Sequence, residues 1–278
     1  METTLTSFDG LALHGREWPC PDARGSVLIV HGLGEHIGRY AQVAAQFNAW
    51  GWRVVGHDLR GHGRSEGARG RIASDDALLR DLAQVIDAAR AAHPGPLVLL
   101  GHSMGGLIAA RFVAEGLQPQ PAAWHRGIDA LVLSSPALDL GMGAAQKALL
   151  AVLGPLAPNL AVGNGLKPEW VSRDPAVVAA YVADPLVHDR VTPRLVRFIV
   201  DAGEFARAHA PRWRVPTLLM WAGSDRCVAP RGSAAFAAVA PAAVLTAHEF
   251  KPLFHEIFNE PEQAEVFARL RAWLSARG

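Results

Sequence analysis

Leu97-Val98-Leu99-Leu100-Gly101-His102-Ser103-Met104-Gly105 is the stretch that decides the architecture. Apolar residues run into a glycine, and a helical pattern over Met104–Glu115 starts directly after the serine. Gly101–Gly105 has the form G-x-S-x-G, and between a strand and a helix that pattern is a nucleophile elbow. The serine of such a turn sits in a strained conformation, and side chains two residues to either side would collide. The sharp turn lifts the hydroxyl clear of the sheet. It also aims the N-terminus of the next helix at a reacting carbonyl.

Outward from the elbow, short apolar runs alternate with helical patterns. Strands are expected at Ser26–His31, Arg53–Asp58, Leu97–His102, Ile128–Ser134, Pro216–Ala222 and Ala243–Glu249. Continuous apolar runs of this kind suit parallel strands covered on both faces. Leu11–Trp18 alternates less cleanly and reads as an antiparallel edge. Helices expected at Tyr40–Trp50, Asp75–His93, Pro230–Val239 and Pro261–Ser275 complete an α/β fold with a mostly parallel, doubly wound sheet. From Leu140 to Trp213 the alternation stops: no convincing strand is visible, and Gly, Pro and Ala are dense. Within it, Val171–Val187 and Thr192–Arg207 are too apolar to stay solvated as a loop. The expected organisation is a core of residues 1–139 and 214–278 interrupted by a helical cap at 140–213.

The 278 residues are half hydrophobic and 19% charged, enough to bury a substantial core. With 27 basic against 26 acidic residues, a net charge of +1 and no basic stripe, nucleic acid is not an expected partner. Ala148–Leu166 carries no charge and approaches the length of a membrane span. Gly154, Pro155, Pro158, Asn159, Gly163 and Asn164 break it, so it does not read as transmembrane. Met1–Trp18 lacks the basic and apolar regions of a secretory signal, and the 2 cysteines are too few for a disulfide framework. A reduced, cytoplasmic setting is expected.

A lone serine is not nucleophilic at neutral pH; it needs a base, and the base needs an orienting acid. In this architecture they follow in the order Ser, Asp, His. Asp225 comes directly after the run Pro216–Ala222, and His255 lies in the loop after Ala243–Glu249. Both therefore fall at strand carboxyl ends, on the same sheet edge as Ser103. The rivals are worse placed, His248 inside the last strand and Asp201 in the insertion. The Met104 amide is one expected oxyanion donor, and the Leu33 amide in the turn His31-Gly32-Leu33-Gly34 is the other. The 12 histidines form no H-E-x-x-H, and no paired C-x-x-C or glycine-rich phosphate loop is present, so neither metal nor cofactor is expected. Cys227 reads as a small buried filler, with a reactive thiol as the alternative.

With these residues placed, the chain resembles the monoacylglycerol lipase and lysophospholipase branch of the α/β-hydrolase family. The matching stretches are His31–His36 with Gly38-Arg39-Tyr40, Asp58–Ser65, Gly101–Gly106, Ser172-Arg173 with Tyr181–Leu186, and His255-Glu256 with Asn259-Glu260. They span nearly the whole chain, the insertion included. The resemblance implies an amphipathic helical cap, an apolar acyl tunnel, and a polar glycerol pocket lined by Leu33, Glu35, Arg39, His102 and Tyr181. Tyr181 as a cap core residue is the alternative. Leu33 stands where the family often has a smaller residue, which narrows the alcohol side. Asp58–Gly63 reads as a supporting loop. Ala144–Leu160 is either the cap's inner packing face or a lipid-facing surface, and burial separates the two.

The implied activity is hydrolysis of single-chain carboxylic esters, monoacylglycerols first, through an acyl-enzyme. The alternatives are a broader carboxylesterase or lysophospholipase, an acyltransferase, and a non-catalytic ligand-binding relative. The implied partner is a small lipid or ester, with transient membrane-surface contact through the cap.

Overall fold

The computed structural model describes residues 1–277, the side chain of Leu153 aside. Its ten strands are β1 (Glu2–Thr6), β2 (Ala12–Trp18), β3 (Ser26–Val30), β4 (Arg53–His57), β5 (Leu97–His102), β6 (Ala130–Ser134), β7 (Val162–Gly163), β8 (Arg190–Val191), β9 (Thr217–Ala222) and β10 (Leu245–Phe250). The helices are α1 (Ala41–Ala49), α2 (Ala77–Ala92), α3 (Met104–Glu115), α4 (Ala144–Leu156), α5 (Pro175–Ala183), α6 (Pro193–His209), α7 (Pro230–Val239) and α8 (Gln263–Ser275).

Eight strands form one sheet in the order β1-β2-β4-β3-β5-β6-β9-β10. From β4 to β10 every pairing is parallel, while β2 runs antiparallel to both β1 and β4. The apolar runs need no alternation because both faces are covered. Val27 and Ile29 of β3, with Val98 and Leu100 of β5, pack toward α1 and α8. Leu28, Val30, Leu97 and Leu99 pack toward α2, α3 and α6. After β3 the chain steps outward to β4, then returns past β3 to β5. Reversal of winding at β3 and β5 makes their carboxyl ends the crevice where such sheets bind ligands.

Three expectations need correction. The sheet begins with a strand not anticipated, β1, so β2 is an inner strand and not the edge. Four of the five β1 residues are exposed, so that strand has no apolar face to show in the sequence. The segment 140–213 holds two short strands, β7 and β8, paired antiparallel over only two residues each, too short for any periodicity. Finally, apolar Val171–Val187 is only partly internal: Val171 is buried, but α5 has no fully buried residue, and Val182 is 65% exposed. The helices there start on local signals, with Asp174 capping α5 ahead of Pro175 and Thr192 capping α6 ahead of Pro193.

Candidate active site

Ser103 stands between β5 and α3 at φ +54° and ψ −121°, in the positive-φ region that costs a non-glycine residue energy. What holds it there is close packing. A Cβ on Gly101 would come within 2.5 Å of the Gly105 carbonyl oxygen, and one on Gly105 would overlap the carbonyl oxygen of Val30. The missing side chains let α3 start against the end of β3. Backbone bonds then fix the turn: Ser103 N–H donates to Ser134 (3.0 Å), and its carbonyl accepts from Leu107 (3.0 Å) and Ala137 (2.9 Å).

His255 reaches the elbow from the loop after β10. Its Nε2 lies 2.8 Å from Ser103 Oγ, and its Nδ1 lies 2.7 Å from Asp225 Oδ2. Asp225 follows β9, and its other oxygen accepts the N–H groups of Cys227 (2.8 Å) and Val228 (3.1 Å). Those two bonds orient the carboxylate toward the imidazole. Burial disfavours the imidazolium, but the charge and hydrogen bond of Asp225 outweigh it and raise the pKa of His255 above its ordinary 6.5. Asp225, Cys227 and His255 also bring three metal-ligating atoms within 4.8 Å. Both imidazole nitrogens are already engaged, however, and burial followed by the Asp225 charge pushes the Cys227 thiol well up. Cys227 is therefore a protonated wall residue. His248 lies within β10, and Asp201 lies on α6.

The turn after β3 is gripped at Gly32. His31 Nε2 accepts from Leu59 N–H (2.9 Å), which leaves Nδ1–H to donate to the Gly32 carbonyl (2.8 Å). Gly32 N–H in turn donates to Glu35 Oε1 (2.6 Å). Among the described residues, the Leu33 and Met104 amides donate to no protein acceptor. Two free N–H groups beside an elbow are what an oxyanion requires.

Two cavities meet at the serine. One, of about 270 Å³, is walled by Met104, Leu140, Met142, Val191, Val196 and Ile199. The other, of about 250 Å³, is walled by Glu35, His102, Tyr181, Asp184, His188 and Glu256. Leu33, Ser103, Asn164, Leu166 and Cys227 border both. Three of the four expected side chains of the polar pocket therefore face the serine, with Leu33 beside them. The fourth, Arg39, does not. It stands behind that wall, with Nη1 donating to Glu35 (2.8 Å) and both terminal nitrogens to Glu256 (2.6 and 2.8 Å). Its guanidinium also lies 4.8 Å from the Tyr181 ring centre. Paired on two sides, it props the wall from behind.

The wall's protonation states follow from burial. Burial would raise the Glu35 carboxyl, but the Arg39 charge overrides it and brings the pKa down to about 2. Burial, helped by the positive His255, drops His102 to about 4, and burial with Arg69 drops His188 to about 4. Burial and the Glu35 charge raise the Tyr181 hydroxyl, so it remains a donor. That hydroxyl meets no protein acceptor among the described residues. Sequence reasoning gave no role to Glu256 or His188. Glu256 was legible only as the neighbour of His255, and His188 had no motif around it.

An α/β sheet, an elbow serine and the Ser103–His255–Asp225 hydrogen-bond chain together define a serine hydrolase of the α/β-hydrolase class. Residues 21–262 match the family described as serine aminopeptidase, S33, and the chain belongs to it. It is 36% identical to a monoacylglycerol lipase of Mycolicibacterium smegmatis over 98% of this chain and 96% of that protein. It is 33% identical to the phospholipase YtpA of Bacillus subtilis over 92% of this chain and 97% of that one. A crystal structure of Paleococcus ferrophilus monoacylglycerol lipase superposes with a TM-score of 0.83 at 35% identity, covering 96% of this chain and 99% of that one. These similarities agree with the branch that the motifs resemble.

Proposed function

We propose that this enzyme hydrolyses monoacylglycerols, with Ser103 as nucleophile, His255 as general base and acid, and Asp225 as its orienting partner. The observation that carries this reading is the meeting of an apolar and a polar cavity at one hydroxyl already 2.8 Å from an imidazole. The acyl chain occupies the apolar cavity. Ser103 attacks the ester carbonyl as His255 takes its proton, and the Leu33 and Met104 amides receive the oxyanion. His255 then protonates the leaving glycerol, which lies toward Glu35, His102 and Tyr181. Water activated by the same imidazole releases the fatty acid. The lipase names of the relatives at 36% and 35% identity support this assignment.

A lysophospholipid is the second reading, favoured by the phospholipase relative. Against it, the polar cavity presents Glu35, Asp184, Asp189 and Glu256, with Lys167 as its one lining lysine or arginine among the described residues. That wall repels a phosphate and accepts a neutral polyol. Aminopeptidase chemistry needs an anion on the acyl side to hold an α-ammonium group, and the lining of the apolar cavity has no carboxylate among the described residues.

In this reading residues 140–213 form the cap over a core of 1–139 and 214–278. Leu149 (58%), Val152 (64%), Leu156 (76%) and Leu160 (60%) are exposed there, which favours the lipid-facing alternative for Ala144–Leu160. A cap grazing a lipid surface would bring the cavities to an insoluble substrate. No helix among the described residues is long and apolar enough to cross a membrane. The free thiols of Cys20 and Cys227 support a cytoplasmic setting.

The test is a fluorophosphonate probe with a substrate panel. Ser103 should label, and a monoacylglycerol should be cleaved faster than the lysophospholipid, ethyl ester or amino-acyl amide. A higher kcat/KM on the lysophospholipid would replace the first reading with the second.

A further inference from the structure

The loop carrying His255 is tied to the rest of the molecule by one buried carboxylate outside the catalytic cavity. Glu260 is 0% exposed, and its two oxygens receive four donors. Oε1 accepts from Ser172 Oγ (2.7 Å) and Arg173 N–H (2.6 Å). Oε2 accepts from Arg173 Nε (2.6 Å) and from the N–H of Phe254 (2.9 Å), the residue immediately before His255. A fifth bond, Glu256 N–H to the Val171 carbonyl (2.8 Å), continues the seam on the other side of His255. Val171 itself lines the polar cavity.

We infer that Glu260 is a positioning residue for His255, clamping the base loop to the Val171–Arg173 segment and so coupling the seating of that segment to the geometry of the base. Four donors on one desolvated carboxylate leave it no freedom to rotate, and a charged acceptor makes each bond stronger than a neutral one. The imidazole must hold two hydrogen bonds at once, to Asp225 and to Ser103, so a loop shift of a fraction of an ångström weakens one of them. Misplacement by about 1 Å can cost about a hundredfold in rate. Segment 171–173 also shapes the substrate cavity, so when it lifts, Glu260 loses three of its four partners and the base loop is released.

This inference rests on the triad reading, and Ser103→Ala tests that reading separately through loss of fluorophosphonate labelling. Glu260→Gln keeps the shape but turns an amide NH₂ toward a donor. It should lower kcat and the labelling rate about tenfold to a hundredfold, with KM changed less than about threefold. The acid limb of kcat/KM should also move down toward the ordinary histidine value, because the raised pKa of His255 depends on its contact with Asp225. Ser172→Ala, which removes one donor and leaves the carboxylate, should shift both quantities the same way by about threefold or less. It carries the test alone if Glu260→Gln does not fold. A folded variant with lower Tm but wild-type kcat and acid limb would overturn the inference, with the triad reading intact so long as Ser103→Ala is inert.

Discussion

The two cavities at Ser103 differ in how they are built. The apolar one is walled by side chains from several elements, among them Met104 of α3, Val191 of β8, and Val196 and Ile199 of α6. Each is replaceable by another hydrocarbon at modest cost, because dispersion and burial have no direction. The polar one is a directed network in which Glu35 is fixed by Gly32, Arg39 and Tyr40, and Arg39 by Glu35 and Glu256. Removing one member leaves another buried and unpaired. One cavity should therefore tune substrate length gradually, and the other should discriminate sharply by chemical group.

Substitutions separate the shared centre from its two sides. The largest effect belongs to the centre: Ser103→Ala should leave a folded protein with ester hydrolysis lower by about a millionfold. Retention of a tenth of wild-type turnover would remove the serine from the mechanism and with it the reason to compare the cavities.

Asp225→Asn should cost about ten thousandfold by mis-setting the imidazole tautomer. It should also move the pH profile. His255 acts as a base only when neutral, and Asp225 raises its pKa above 6.5, so wild-type kcat/KM should fall as pH drops through a value above 6.5. The variant's residual activity should fall at lower pH. His102 and His188, held near 4, should add no second limb above pH 5. Two limbs there would mean that the polar wall titrates with the base.

Smaller effects test each cavity. Val196→Phe puts a ring into the apolar cavity and should cut kcat/KM on long-chain esters about tenfold while sparing an acetyl ester. Equal loss on both would place the acyl chain elsewhere. Tyr181→Phe removes one unpaired hydroxyl from the polar wall. It should lower monoacylglycerol kcat/KM by about 1 kcal/mol, roughly fivefold, and leave an ethyl ester of the same acyl length unchanged. A parallel loss on the ethyl ester would make Tyr181 a packing residue.

Covalent and local rules determined much of this protein from the sequence by itself. G-x-S-x-G between an apolar run and a helix specifies the elbow, because only glycine fits where α3 meets the end of β3. Parallel strands bury both faces, so their runs were readable, and Asp225 and His255 followed from their places after β9 and β10. Tertiary structure alone decided the rest. Exposed β1 had no apolar pattern to betray it. Arg39 could not be assigned to wall or ligand until Glu35, four residues before it, and Glu256, 217 residues away, were seen to claim it. The apolar residues of α4 and α5 left packing face and exposed surface equally open, because burial depends on what packs against a helix, and nothing in a one-dimensional pattern says whether that neighbour exists.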